Sequence, residues 1–315
     1  MATNQHAQYD PPWKNIINQF FPSFMEYCFP LAFAEIDWGK GYVPLDKEMT
    51  QIMRDAKTHN RVVDKLMKVY TKSGEEAWVL VHCEIQGQRD VEFPKRMFVY
   101  RYRLIDFYAK PVASFALLTD ANENWRPSTY EESLWGSSTK MEFVTFKLLD
   151  FKNRLFQLQH STNPFSTVIE AHLAALATKK VPIENRFEQK VSITRRLYDK
   201  GWKKADIINL YLFIDWILAL PKELELKYHE EISQIEEEKK VEYISTAERI
   251  GIEKGIQQGI DQTQHEERKI FLILLLKKEM GKIPQETLQK IESSSNEELK
   301  TWITDLLSEE ASASR

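Results

Sequence analysis

Hydrophobic and polar positions alternate one way in the first half of this chain and another way in the second. From Trp13 to Phe33 the sequence is dense in aromatic and apolar residues, with Pro22 ahead of Ser23 as a helix start. Arg61–Thr71 and Ala77–Gln86 are rich in Val, Leu, Ile and aromatics around the turn signal Lys72-Ser73-Gly74-Glu75, which predicts a β-hairpin. Pro94 suits the first turn of a helix over Lys95–Ala109, and Pro111 stops it. Val112–Thr119 is a continuous apolar run suited to a buried strand, and Met141–Leu149 alternates as another. Helix, strands, helix, strand is an α/β order.

Beyond about residue 160 the pattern is helical: Phe165–Lys179, Glu184–Asp199, Lys204–Leu220, then Lys222 to about Gly281, with short helices around Gln285–Glu292 and Glu297–Ser308. The Glu/Lys-rich stretch from Glu223 to Lys240 reads as a solvated helix face. The pattern gives an α/β domain over 10–150, a helical extension over 151–221, a long helix over 222–268 and a small helical module over 269–315. Within the long helix, Gly251, Gly255 and Gly259 recur every four residues, each followed by an isoleucine. Each helical glycine costs about 0.8–1 kcal/mol relative to alanine. A stripe of them either lets a second backbone approach closely, as in a tight helix pair, or makes a soft hinge.

Length and charge narrow the function. At 315 residues the chain suggests about two domains, and 43 Lys+Arg against 47 Asp+Glu give a net charge of −4, so no global basic field recruits nucleic acid and any polyanion site must be a local patch. Two cysteines, Cys28 and Cys83, supply neither a disulfide framework nor a zinc set. The N-terminus lacks a basic segment followed by an apolar one, and Ile207–Leu220, the most apolar stretch, falls short of the roughly 20 residues of a membrane span. The expectation is a cytoplasmic protein with no membrane partner.

The hairpin carries the candidate chemistry. Side chains alternate along a strand, so Trp78, Leu80, His82, Glu84 and Gln86 share one face. With a loop over Lys72–Glu76, Thr71 pairs with Ala77 and Asp64 stands opposite Glu84. Two carboxylates in that relation repel unless a cation lies between them, and an all-oxygen donor set suits Mg²⁺ or Mn²⁺. The alternative is a pair of surface carboxylates flanking Lys65 or Lys68. On the following helix Arg96, Tyr100 and Arg103 lie at i, i+4 and i+7, a local basic patch that would position phosphates, or else an ordinary face pairing with Asp90 and Asp106. P-loop, GxGxxG, HExxH and GxSxG motifs are lacking, and of seven histidines only His82 lies on the candidate face, where it could assist proton transfer or serve structurally.

At these residues the sequence resembles the PD-(D/E)XK nuclease superfamily, and within it the recombination-promoting nuclease (Rpn) family, whose members also carry a transposase label. The superfamily pattern of an Asp on one strand and Glu-x-Lys on the next is met by Asp64 and Glu84-Ile85-Gln86, with Gln86 in the lysine position. The family's own variant, Glu-x-Gln, a nearby Asp, then Arg and Tyr on a helix, is met by Glu84, Gln86, Asp90, Arg96 and Tyr100. Phe24-Met25-Glu26-Tyr27-Cys28-Phe29-Pro30 resembles the family's first-helix segment, making Glu26 the implied helix-borne carboxylate. GIEKGIQQG and the segment from Phe271 resemble the glycine-repeat helix and the C-terminal helical module of bacterial members.

The resemblance implies a restriction-endonuclease-like α/β core followed by an α-helical C-terminal region. It implies metal-dependent hydrolysis of DNA phosphodiesters, with Asp64, Glu84 and Glu26 holding Mg²⁺ or Mn²⁺, and with Arg96, Tyr100 and Arg103 on the DNA backbone. Gln86 would orient the attacking water without a lysine's charge. The glycine helix would make a homo-oligomer. The rival expectation is a nuclease fold without turnover that acts as an oligomeric interaction or regulatory protein, and RNA is not separated from DNA as substrate.

Overall fold

The pairing of β-strands fixes the architecture around the site. A computed structural model of the chain describes residues 10–45, 63–74, 76–84, 89–239 and 284–313, and positions 265, 268, 269, 271–273, 275 and 276 between the last two ranges. It is a mixed α/β protein. Strands β1 (Val43–Pro44), β2 (Val63–Tyr70) and β3 (Glu76–Glu84) run antiparallel in turn, and β4 (Val112–Leu118) and β7 (Val144–Lys147) extend the sheet parallel to β3, giving the order β1-β2-β3-β4-β7. A parallel pair needs a crossover, and helix α4 (Phe93–Tyr108) supplies it between β3 and β4. Ala109 ends α4 in the left-handed region, just ahead of Pro111.

Each face of the sheet is covered. Leu66 of β2 and Val112 of β4 pack with Tyr100 and Leu104 of α4, while Ala116 and Leu118 pack with Phe93 and Met97. On the other face Phe115 meets Phe29, which lies between helices α2 (Phe21–Cys28) and α3 (Pro30–Glu35), with ring centroids 4.6 Å apart. The first-helix segment therefore forms three short helices, beginning with α1 (Asp10–Gln19), because Pro22 and Pro30 restart the chain at first-turn positions.

Two expectations change here. The strand expected over Met141–Leu149 is divided. Residues Thr129–Leu134 (β5) and Ser137–Glu142 (β6) form a separate antiparallel hairpin, and β7 begins only after Phe143, whose N–H is held by the Ser128 carbonyl at 2.9 Å. The hairpin between β2 and β3 pairs Tyr70 with Glu76, so Asp64 stands opposite His82, not Glu84. The cause is Thr71: it bridges to Ile36, and its carbonyl accepts from the N–H of Gly74, whose φ of +87° closes the turn one residue earlier on each strand.

The helices that follow are α5 (Leu155–His160), α6 (Phe165–Ala177), α7 (Ile183–Asp199), α8 (Lys204–Ile217) and α9 (Lys222–Lys239). One compact unit runs from Met1 to Tyr243 and a second from Ile244 to Arg315. The charged helix α9 buries Tyr228, Ile232, Ile235 and Glu236, so only part of it is a solvated face. Lys190 of α7 is fully buried and joins Asp215 of α8 at 2.7 Å and Glu225 of α9 at 2.8 Å. In the second unit, α10 (Gln285–Ser293) and α11 (Asn296–Ala313) gather around Leu272, Leu276, Ile291 and Leu299. Ser295 and Glu298 form a reciprocal capping box at the start of α11. The glycine stripe at Gly251, Gly255 and Gly259 lies outside the described residues.

Helix α6 is tied to the sheet through His172, whose Nε2–H donates to the Thr119 carbonyl at 2.7 Å just beyond β4. Burial lowers its pKa from the ordinary 6.5 to about 4. The unfolded chain thus binds a proton at His172 that the folded chain refuses. Stability from this residue is fully present above pH 6.5 and is lost as pH falls toward 4, by about 3 kcal/mol. Urea unfolding of the wild type and of His172→Gln at pH 7 and pH 4 checks this. The variant, which keeps an amide donor for Thr119, is expected to lose less stability between the two pH values by about that amount.

Candidate functional site

The pleat of β2 and β3 assembles the candidate residues. Leu66 faces α4, so Asp64, two residues earlier, shares that face. Paired residues share a face as well. His82 is the partner of Asp64, and Glu84 is the partner of Leu118, which packs under Phe93 and Met97. Asp64, His82 and Glu84 are therefore on one face of the sheet, beneath α4. Asp64 and Glu84 are diagonal neighbours across the pair, a relation that separates backbone positions by about 7–8 Å. Such spacing weakens the mutual repulsion of two acidic residues relative to direct opposition.

Not every residue singled out from the sequence joins them. Gln86 lies outside the described residues. Glu26 is exposed on α2, on the layer that covers the opposite face of the sheet, and its carboxylate accepts from Asn163 Nδ2 at 2.7 Å. Arg96 and Tyr100 do share one helical face, but it is the inward face of α4 with Phe93, Met97 and Leu104, and each is only 4 % exposed. Arg96 Nη1 is ion-paired with Asp90, and its guanidinium lies 5.6 Å from the Phe93 ring. The expected exposed phosphate-binding strip is therefore corrected: Arg96 and Tyr100 anchor α4 to the sheet, and Arg103 alone of the three is half-buried. The physical reason is the period of the helix, which puts position 96 with 93, 97, 100 and 104, where the apolar residues dominate and the guanidinium is carried inward with its own counter-ion.

Asp90 also organises the entry to α4, since its Oδ1 accepts from the backbone N–H of Glu92 at 2.9 Å while Oδ2 holds Arg96. The start of the helix is thus fixed a few residues beyond the end of β3.

A second charged pair escaped the sequence reading. Lys147, at the end of β7, is paired with Leu118, which is paired in turn with Glu84, so a cation stands in the same sheet row as Glu84 and on the same face. Its Nζ bonds to Asp120 Oδ2 at 2.5 Å and to the Trp125 carbonyl at 3.3 Å, with both charged side chains almost wholly buried. Burial lowers the Lys147 pKa, and the Asp120 carboxylate opposes that shift. Twenty-seven residues separate the partners, and no periodicity connects them.

Among the described residues no group of three or more His, Cys, Asp or Glu side chains is placed to hold a metal ion. No helix among them is long and apolar enough to cross a membrane. No protein-family model, no curated protein and no solved structure matches the chain.

Proposed function

We propose that this chain is a metal-dependent endonuclease that hydrolyses phosphodiester bonds of DNA, of the recombination-promoting type that its hairpin and following helix resemble. The observation that supports the reading most is that two acidic positions, Asp64 and Glu84, lie diagonally on one sheet face with His82 between them in the register. Two acidic residues in that relation on one sheet face repel unless a cation lies between them.

The donor types fit Mg²⁺ or Mn²⁺, both of which take carboxylate oxygens. Asp64 and Glu84 would hold the ion, which when bound lowers the pKa of coordinated water and neutralises charge on the reacting phosphate. His82, opposite Asp64 in the register, would take a proton from the attacking water. Gln86, in the superfamily's lysine position, orients that water through its amide but adds no positive charge. Arg96 and Asp90 act by fixing the start of α4, and the half-buried Arg103 would steady a backbone phosphate.

Calorimetric titration of the full chain with Mg²⁺ and with Mn²⁺, without nucleic acid, tests the reading. The wild type is expected to bind, and Asp64→Ala is expected to lose a large part of the affinity. Wild-type protein that takes up neither ion removes the metal site from the account and leaves the fold as an interaction protein without turnover.

A further inference from the structure

Beyond the carboxyl ends of the parallel strands β4 and β7 lies a recess of about 500 Å³. The chain leaving β4 contributes Ala121 to its lining, and the 3₁₀ turn Leu148–Phe151 that follows β7 contributes Leu149. In open α/β sheets this is the end at which ligands bind. Helices α5 and α6 and the start of α7 supply the other walls, where Leu155, Leu173, Leu176 and Val181 make the lining mainly apolar. A recess of this volume suits a small molecule, whose apolar body it buries and whose orientation a few placed polar groups fix.

Glu170 of α6 is such a group. It lines the recess although it is only 6 % exposed. Gln159 Nε2 at 3.0 Å and Arg196 Nη2 at 2.5 Å both donate to its Oε1, which pins the carboxylate. Its Oε2 accepts no hydrogen bond among the described residues. A carboxylate oxygen held in an apolar recess without a donor favours a ligand that brings one, and hydrogen bonds to charged acceptors are the stronger kind. Charge decides what carries that donor. Arg196 already neutralises Glu170, and Lys152 pairs with Glu123 at 3.7 Å. An ammonium or a carboxylate entering the recess would lose its water and meet no unmatched counter-charge, a penalty that a hydroxyl escapes.

We infer that this recess binds a small, neutral, mainly apolar molecule whose hydroxyl donates to Glu170 Oε2. The site is independent of the nuclease reading, because its anchor and its walls come from α5, α6, α7 and the ends of β4 and β7, not from the β2–β3 hairpin.

Calorimetric titration of the full chain at pH 7 with 2-naphthol, a bicyclic phenol, and with its methyl ether, which keeps the apolar body and lacks the O–H, tests the inference. The wild type is expected to take up 2-naphthol saturably and the ether at least about tenfold more weakly. Ala177→Trp, which places an indole in the recess from an exposed position on α6, is expected to lower the affinity for 2-naphthol at least about tenfold. Val181→Trp fills the recess from another wall and gives the same readout should the first variant melt early. Glu170→Gln, which leaves a neutral acceptor, is expected to narrow the ratio between phenol and ether. A wild type that takes up no 2-naphthol overturns the inference, as does binding that both tryptophan variants retain. Equal affinity for phenol and ether, or a ratio that Glu170→Gln leaves unchanged, removes the hydroxyl contact to Glu170 and overturns it as well.

Discussion

Glu84→Ala is expected to lower DNA cleavage by at least about 10²-fold while leaving the fold in place. Metal stabilisation of charge at a reacting phosphate is worth several kcal/mol, and each 1.36 kcal/mol is tenfold in rate. Glu84 closes β3 at the last position where the strand pairs with β4, so alanine there removes a carboxylate but no ladder bond. Circular dichroism and urea unfolding should show a stability equal to or above that of the wild type, because the substitution relieves repulsion with Asp64 when no ion is bound. Unchanged cleavage by Glu84→Ala would remove it from the site. Lost cleavage accompanied by lost structure would assign it a role in the sheet instead.

The second large effect is on stability. Lys147→Ala leaves the Asp120 carboxylate buried without its cation, and removing one partner of a buried pair costs about 3–5 kcal/mol. The double replacement Lys147→Met with Asp120→Leu removes both charges and is expected to recover most of that loss, since the pair's attraction mainly offsets its own desolvation. Equilibrium urea unfolding of the three proteins separates the two outcomes. A single variant within about 1 kcal/mol of the wild type would mean that water reaches Asp120 readily enough to replace the ammonium.

How much of this was legible follows from what each signal depends on. The apolar run of β4 and the period of α4 announce themselves because a central parallel strand is buried on both faces and a crossover helix on one. The faces of β2 and β3 were also readable, since a two-residue shift in register keeps every side chain on its side. The register itself depended on Thr71, whose partner Ile36 lies 35 positions earlier. The β5–β6 hairpin was hidden because its strands, TYEESL and SSTKME, face solvent on most positions and its turn holds a tryptophan where a turn signal would be sought. Arg96 misled in another way: its spacing with Tyr100 and Arg103 is real, but spacing does not say which face is inward, and a guanidinium can be carried inside when an aspartate is built to meet it. The Asp120–Lys147 pair joins two strand ends and has no local signature at all.

The measurement that bears most directly on the account is nicking of supercoiled plasmid by the purified full chain with Mg²⁺, with EDTA, and by Glu84→Ala with Mg²⁺. The account predicts conversion of supercoiled to open-circular DNA in the first reaction and in neither of the others. Conversion that persists in EDTA, or that Glu84→Ala retains in full, would contradict a metal nuclease whose site lies on this hairpin.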